Sequence, residues 1–387
     1  MKKTKQIIPY PFPVYFWVIM SIAVVGLMDA VYLSISHYRV YTDMTYRSFC
    51  AVTKSINCDT VSQSPFAVML GMPLAVWAIF GYALVILIMG LAKSKTDDNK
   101  HLWPLIFFIS TVFSLHSLIL AYISTFIIHS YCLMCILSYC VNFLLMFYSW
   151  LIHKRFHHEG LLAGLKKDLL FLGAKPLRYI SLMVLFSLCL IMTWVSFPNY
   201  WIFEPPDPSI EIPMGISPEG DPWIGAPDPE LTIVEFTDYR CFQCRKMHQF
   251  LRHIVAQHPD KLRLVHKHFP MDHAFNPLVK SALHVGAGRL ALLAIYAAKN
   301  SKFWEMNDIL LDLGKDINQI NMKTLAEKCD LNGKGLPGSL MQPSILSKLA
   351  TDIREGLRLG IEGTPGYYIN GKVYTGQIPA DILKPYL

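Results

Sequence analysis

The sequence predicts a multi-domain protein: an all-α transmembrane four-helix bundle with a connecting fifth span, followed by an α/β domain with a helical insertion. Three observations carry this. Over half of the 387 residues are hydrophobic and only 16% are charged, a balance that points to a bilayer. The long apolar runs are confined to residues 1–197, whereas 230–387 read as an ordinary soluble domain. Six of nine cysteines fall in three close pairs, which directs attention to thiol or metal chemistry. The length leaves room for two domains.

The elements follow in chain order. Residues 1–13 read as a cytoplasmic N-terminus. A span needs about 20 apolar residues, and runs of that kind fall at 14–36, 70–92, 103–128, 131–152 and 179–197. The first four make the bundle, residues 14–152. The first run is too long for a cleavable signal and no small-residue cleavage site follows it, so it reads as an anchor. Lys2, Lys3 and Lys5, then Lys93, Lys95 and Lys100, then Lys154, Arg155, Lys166, Lys167, Lys175 and Arg178 fall in alternate connecting segments. Basic residues mark the cytoplasmic side, so the N-terminus and the loop 153–178 are expected inside. The first loop and everything after 197 are then expected outside, although Arg39, Arg47 and Lys54 in that loop weaken the bias. The net charge of +7 thus reads as a topology signal, and no nucleic-acid partner is expected.

Residues 198–229 are rich in proline and carry Glu204, Asp207, Glu211 and Glu219, which suggests a semi-extended tether. Beyond it, 230–387 alternates strand and helix. Leu231–Thr237 reads as a strand, Cys241-Phe-Gln-Cys244 opens a helix to about Gln257, and Leu262–His268 is a second strand. Helical patterns fill 276–330 and 344–359. Strands Tyr367–Ile369 and Val373–Thr375 flank an Asn370-Gly371 turn, and a last helix starts at Pro379. This β-α-β, helical insert, β-β-α order is a thioredoxin fold with an inserted helical region.

The cysteine pairs carry the chemistry. A pair spaced as Cys241 and Cys244, at a strand-to-helix junction, places the first sulfur at a helix N-terminus, where the dipole and free N–H groups favour thiolate. The second sulfur can resolve a mixed disulfide. Glu235, on the strand below, is a candidate for proton transfer with Cys244; the alternative is a plain solvent-facing strand residue. Thr364-Pro365 suggests a cis-proline loop beside the pair, able to receive a substrate segment. A structural disulfide or zinc knuckle is the weaker reading of this pair. Cys132 and Cys135 open the fourth span at the outer membrane edge, against the alternative of two buried small residues. Tyr139, one turn on, either donates to a carbonyl or is an ordinary interface tyrosine. Cys50 and Cys58 are spaced too widely for a zinc knuckle and suit a mobile loop disulfide. A four-cysteine metal site from Cys50, Cys58, Cys132 and Cys135 is a minor alternative, and no metal is expected. Ser64 either polarises a quinone, orients the cysteines, or caps a helix before Pro65. Asp29 and His116 are ionisable residues within spans and so count as candidates, with structural roles favoured. Cys140, Cys189 and Cys329 lack close partners and are expected to be buried small residues.

Residues 14–152 resemble the vitamin K epoxide reductase family. The resemblance lies in Gly26-Leu-Met-Asp29-Ala-Val-Tyr-Leu, the Cys50 and Cys58 pair, Ser64, and Cys132-x-x-Cys135 followed by Tyr139. The soluble half is similar to DsbA-like thioredoxins in Glu235-Phe-Thr-Asp-Tyr-Arg-Cys241-x-x-Cys244-Arg, Phe269-Pro, Phe303-Trp-Glu-Met and Gly363-Thr-Pro-Gly. Together they resemble the bacterial fusion of the two. That resemblance implies a membrane thiol oxidase serving disulfide-bond formation. Cys241 and Cys244 would take electrons from reduced secreted proteins, Cys241 would pair with Cys50, and Cys58 would attack the Cys132–Cys135 disulfide. Cys135 would reduce a quinone, ubiquinone or menaquinone, with Ser64 and Tyr139 contacting it. The implied setting is the bacterial inner membrane, with the thioredoxin-like domain periplasmic. The soluble motif departs from many relatives in lacking proline at its second position, so its oxidising strength stays open.

Two other functions compete. A membrane-linked disulfide reductase or isomerase would run the same fold in reverse, but inward carriers place cysteines mid-span and here they lie at the outer edge. A redox-inert scaffold or peptide-binding module would not need three such pairs on one face. Quinone reductases of the DsbB type carry the close pair first and the spaced pair second, the opposite of this order.

Overall fold

The computed structural model describes residues 11–43, 46–52, 56–92, 102–156, 160–174, 176–202, 211–280, 282–313, 321–333 and 336–386. Lys2, Lys3, Lys5, Lys54, Lys93, Lys95, Lys100, Lys175, Glu204 and Asp207 therefore lie outside the described residues. The chain divides into two compact units, Met1–Tyr200 and Trp201–Leu387.

The first unit is helical. Helix α1 is Phe12–Thr42, the short α2 is Cys58–Ser62, and a two-stranded hairpin pairs β1 (Val68–Met69) with β2 (Met72–Pro73). Then come α3 (Leu74–Ala92), α4 (Trp103–Ile123, continued as a wider turn to Ile128), α5 (Leu133–Phe156), α6 (Leu161–Ala174) and α7 (Pro176–Ser196). Proline opens α1 and α4, where its missing N–H costs nothing. Phe12–Thr42, Leu74–Leu91, Trp103–Ile128 and Leu133–Phe156 are long and apolar enough to cross a membrane. The fifth predicted span falls on α7, whose Ser181–Ser196 stretch is a shorter apolar helix.

The bundle packs on a core that includes Ile19, Ala23, Tyr82, Val85, Met89, Trp103 and Leu145. Gly26 permits the closest approach: a Cβ there would lie 2.6 Å from the Tyr82 ring and 2.8 Å from Val141. Small residues at such crossings let helices meet where water cannot drive association. Serines do the same between α4 and α5, where the Ser110 and Ser149 hydroxyls are 3.4 Å apart. Outward residues such as Val112, Leu115 and Phe147 are apolar and exposed, as a lipid-facing surface requires. The predicted loop 153–178 contains a helix, α6. Asp168 of α6 accepts the N–H groups of Leu102 (2.8 Å) and Leu105 (3.1 Å), capping α4 in place of a local side chain.

The second unit holds a six-stranded sheet in the order β3-β4-β6-β5-β7-β8. Its strands are β3 (Met214–Ile216), β4 (Pro222–Gly225), β5 (Leu231–Thr237), β6 (Leu262–His268), β7 (Gly366–Ile369) and β8 (Lys372–Thr375). Strands β5 and β6 run parallel, from Leu231 opposite Leu262 to Thr237 opposite His268. Helix α8 (Phe242–Gln257) makes the crossover between them. The insertion follows as α9 (Ala287–Lys299), α10 (Phe303–Asp312), α11 (Met322–Lys328), α12 (Leu336–Leu340) and α13 (Pro343–Leu359). Helix α14 (Ala380–Leu383) and a 3-10 turn, Lys384–Tyr386, come last among the described residues. Asn370 and Gly371 both have positive φ, 49° and 80°, as the tight turn between β7 and β8 demands.

The tether reading of 198–229 needs correction, because β3 and β4 lie inside it and extend the sheet beyond β6. Proline hid them: Pro222 takes the first position of β4, the place in a strand where proline is tolerated. Cys140 and Cys189 are also corrected. Both are exposed, and only Cys329 is buried. On a membrane helix a small apolar residue can face lipid, so apolarity does not predict burial there.

Candidate active site

In the second unit Cys241 is the N-cap of α8, and its sulfur accepts the Cys244 N–H at 3.4 Å. The strand β5 ends at Thr237 and delivers the chain to this helix start; both cysteines are buried thiols. The peptide Thr364–Pro365 is cis, and the Cys241 thiol lies 3.5 Å from the Thr364 carbonyl. The hydrogen bond from Cys244 pulls the Cys241 thiol down, against burial, with further help from the charge of His284. Burial and the neighbouring Cys241 push Cys244 well up. The pair is thus divided into a thiolate-prone attacking sulfur and a protonated resolving one.

Glu235 lies beneath, 1% exposed. Its Oε1 accepts Nδ1–H groups from His248 (2.7 Å, α8) and His266 (3.0 Å, β6). Burial pushes this carboxyl up, but the charge of His248 and the hydrogen bonds from both rings outweigh it and hold Glu235 at about 2. Burial pushes His248 down; the charges of Glu235 and Asp308 overcome it and raise the ring to about 9. The network continues through Asn307, 2.9 Å from His248 Nε2, to the Tyr239 hydroxyl at 2.8 Å. Tyr367 is the cross-strand partner of Glu235, and its buried hydroxyl has no hydrogen-bond partner among the described residues. Glu235, His248 and His266 bring donor atoms within 4.8 Å of one another, a set that could hold a divalent metal. As drawn, the carboxylate already accepts from both rings, so the cluster is satisfied as a hydrogen-bonded network.

In the first unit Cys50–Cys58 and Cys132–Cys135 are disulfides, with Cα separations of 5.6 Å and 5.2 Å. Asn57 caps α2 by accepting the Thr60 N–H, and its own N–H reaches the Tyr131 carbonyl at 2.9 Å. Ile56 also bridges to Tyr131. These bonds tie the Cys58 arm to the residues just before Cys132. Asp59 accepts the Ser48 N–H at 3.1 Å and draws the Cys50 arm onto α2. Cys50, Cys58 and Cys132 consequently pack in one buried cluster. A mostly apolar cavity of about 510 Å³ opens beside it, lined by Cys58, Cys132, Cys135, Ser64 and Tyr139. His116 and Ser138 line it too. The Ser64 hydroxyl donates to the Val61 carbonyl at 2.7 Å and does not cap the turn that follows. The buried Asp29 accepts the Ser138 hydroxyl, and Asn142 links the Tyr82 hydroxyl (2.8 Å) to Ser117 (2.9 Å).

Residues 17–150 match the model of the Vitamin K epoxide reductase family, and residues 217–387 match that of a Thioredoxin family. The chain joins a vitamin K epoxide reductase-family domain to a thioredoxin-like domain. Among solved structures, a thioredoxin-like oxidoreductase from Silicibacter pomeroyi DSS-3 is 22% identical with a TM-score of 0.36, over 44% of this chain and 91% of that one. The thiol-disulfide exchange protein alpha-DsbA2 from Wolbachia pipientis is 15% identical with a TM-score of 0.35, over 43% and 84%. Among curated proteins, the Na(+)/H(+) antiporter NhaA 1 of Mycolicibacterium gilvum (strain PYR-GCK) is 27% identical over 192 residues, 49% of this chain and 30% of that protein. The Na(+)/H(+) antiporter NhaA 3 of Salinispora tropica is 25% identical over 175 residues, 45% and 25%. This chain thus spans less than a third of those relatives' length.

The thioredoxin-like domain gathers Cys241, Cys244, Glu235 and Pro365 at one end of its sheet. The reductase-family domain gathers Cys50, Cys58, Cys132, Cys135, Ser64 and Tyr139 around one buried cluster and its cavity. Sequence reading missed His248, although it lies four residues after Cys244 and so shares its helix face. It also missed His266, which the parallel register sets opposite Glu235. Asp238, His284, Ser138 and Asn142 were missed as well. For His284 no spacing rule could have given the signal, because the insertion brings it back from a distant part of the chain.

Proposed function

We propose that this chain is a membrane thiol oxidase that moves electrons from reduced secreted proteins to a quinone. The Cys241–Cys244 pair takes two electrons from a client dithiol, which leaves as a disulfide. The reduced pair then passes them to Cys50–Cys58 by exchange through Cys241 and Cys50. Cys58 attacks the Cys132–Cys135 disulfide, and Cys135 becomes the donor at the cavity. A quinone, ubiquinone or menaquinone, would supply the two-electron, two-proton sink. Tyr139 would donate to one of its carbonyl groups and Ser64, on turning its hydroxyl from the Val61 carbonyl, to the other, and the apolar walls would hold its ring. The N-terminus is read as cytoplasmic and the thioredoxin-like domain as periplasmic, across the bacterial inner membrane, where disulfides persist.

The observation that carries this reading is the cavity: it is apolar, of ligand size, and touched by Cys58, Cys132 and Cys135 together. The test is quinone reduction by the purified chain in detergent, supplied with a reduced cysteine-containing client. Wild type is expected to couple client oxidation to quinone reduction, while Cys132→Ala and Cys241→Ala both fail. Normal turnover by Cys132→Ala would sink the proposed path.

A further inference from the structure

The Phe242-Gln243 dipeptide brings no charge to Cys241, yet the charge of a side chain just before α9, held on Asp238 three residues before the cysteine, acts on it. We propose that His284, held by Asp238, is the charge partner of Cys241 and sets the oxidising strength of the Cys241–Cys244 pair. This rests on the thiol-exchange reading of the thioredoxin-like domain and does not depend on the quinone step.

Asp238 is the hinge of the arrangement. It lies three residues before Cys241 and is 1% exposed. Its main-chain carbonyl accepts the Cys241 N–H at 3.1 Å. Its carboxylate accepts the N–H groups of Arg240 (2.6 Å) and Met271, and Nδ1–H of His284 at 3.0 Å. A second tie holds the same segment: the Arg240 guanidinium donates to the Val285 carbonyl. A third follows at once, with the Gly286 N–H on the Asp272 carboxylate at 2.8 Å. Two bonds from the segment before Cys241 and one from the loop after β6 therefore fix the point where the insertion begins. The His284 side chain is 28% exposed, so it touches the cysteine loop on one side and water on the other.

The charges acting on Cys241 are few. Cys244 lies behind it on α8, the Thr364 carbonyl across from it, Tyr367 beneath, and Asp238, Arg240 and His284 beside it. Burial pushes the His284 ring down, but the charge and hydrogen bond of Asp238 raise it to about 9, so it is an imidazolium at neutral pH. Its pull on the Cys241 thiol exceeds the push from Asp238. Oxidation of a client dithiol by the Cys241–Cys244 disulfide yields a client disulfide, a Cys241 thiolate, a Cys244 thiol and one released proton. An imidazolium beside the thiolate favours the product side, and stabilising the reduced form makes a disulfide more oxidising.

The test uses the full reduced chain in detergent. Alkylation of Cys241 by iodoacetamide is followed on its own peptide by mass spectrometry across pH, and the Cys241–Cys244 equilibrium is measured against glutathione. His284→Gln is expected to raise the alkylation midpoint by about one pH unit, and to shift the glutathione equilibrium about tenfold toward disulfide. His284→Lys, which keeps the charge, is expected to stay near wild type in both. Should His284→Gln open the fold, seen as alkylation of the buried Cys329, the lysine variant decides: a wild-type midpoint upholds the proposal and a raised one overturns it. A His284→Gln chain that titrates and equilibrates as wild type overturns it, as does a lysine variant that behaves like glutamine. A wild-type Cys241 that never exchanges with glutathione overturns the thiol-exchange reading itself, a result distinct from exchange with unaltered variants.

Discussion

His248 and Glu235 make a charged pair in the dry interior, and a pair of that kind shows in stability against pH. Glu235 is held at about 2, below its ordinary 4.5, so its contribution is present above 4.5 and lost as pH falls toward 2. His248 is raised from 6.5 to about 9, so its contribution is complete below 6.5 and lost as pH rises to 9. The pair therefore contributes fully between about pH 4.5 and 6.5, while the buried His266 and His268, both lowered, lose stability as pH falls below 6.5. Hydrogen exchange at the β5 and β6 amides of the full chain reads this directly. In His248→Gln the alkaline loss should shrink to the part that His284, also raised to about 9, supplies; if it is undiminished, the raised His248 is not a source of it. The six paired cysteines were legible because thiol chemistry needs partners at short spacing, which a sequence displays. The imidazoles were not: His248 and His266 earn their place only when β5, α8 and β6 stack, and His284 only when the insertion folds back.

At the scale of elements, α4 depends on a cap borrowed from α6. Asp168→Ala would leave the Leu102 and Leu105 N–H groups without acceptors, a loss of about 1–2 kcal/mol. Thermal unfolding of the detergent-solubilised chain is expected to begin earlier in that variant, with Asp168→Asn, which keeps one acceptor, in between. An unchanged transition would show that water caps α4 as well. Strands β5 and β6 were read correctly to the residue: β5 is rich in β-branched residues, and β6 alternates Leu262, Leu264, His266 and His268 with Arg263, Val265 and Lys267, a period of two. The short β3 and β4 could not be read, since three or four residues beside prolines give no period. Helix α6 was masked by Lys166 and Lys167, which announce a loop by charge while Leu161, Leu162, Leu165, Leu169 and Leu170 keep a helical spacing.

At the scale of the whole chain, the proposed relay calls for exchange between Cys241 of one unit and Cys50 of the other. Cys244→Ala removes the resolving thiol, so a Cys241–Cys50 disulfide should accumulate and appear in a non-reducing peptide map. Its absence, with the thioredoxin-like domain folded, would argue against Cys50 as the acceptor. The architecture was legible because hydropathy divides this chain so sharply between its halves. The cavity was not, since its walls come from helices far apart in sequence, and only their packing makes a space.

The roof of the soluble thiol pair is supplied late. Thr364, whose carbonyl faces the Cys241 sulfur, stands 123 residues further along the chain. At a synthesis rate of about 5–20 residues per second, Cys241 would exist for about 6–25 s before Thr364 is made. Biosynthesis thus imposes an order on this protein's own chemistry: during that interval its thiols lack their roof and are open to any oxidant they meet. On the proposed oxidase reading, competence to oxidise others begins only when the last strands close over the pair, so each new copy would start on the receiving side of the reaction it later performs.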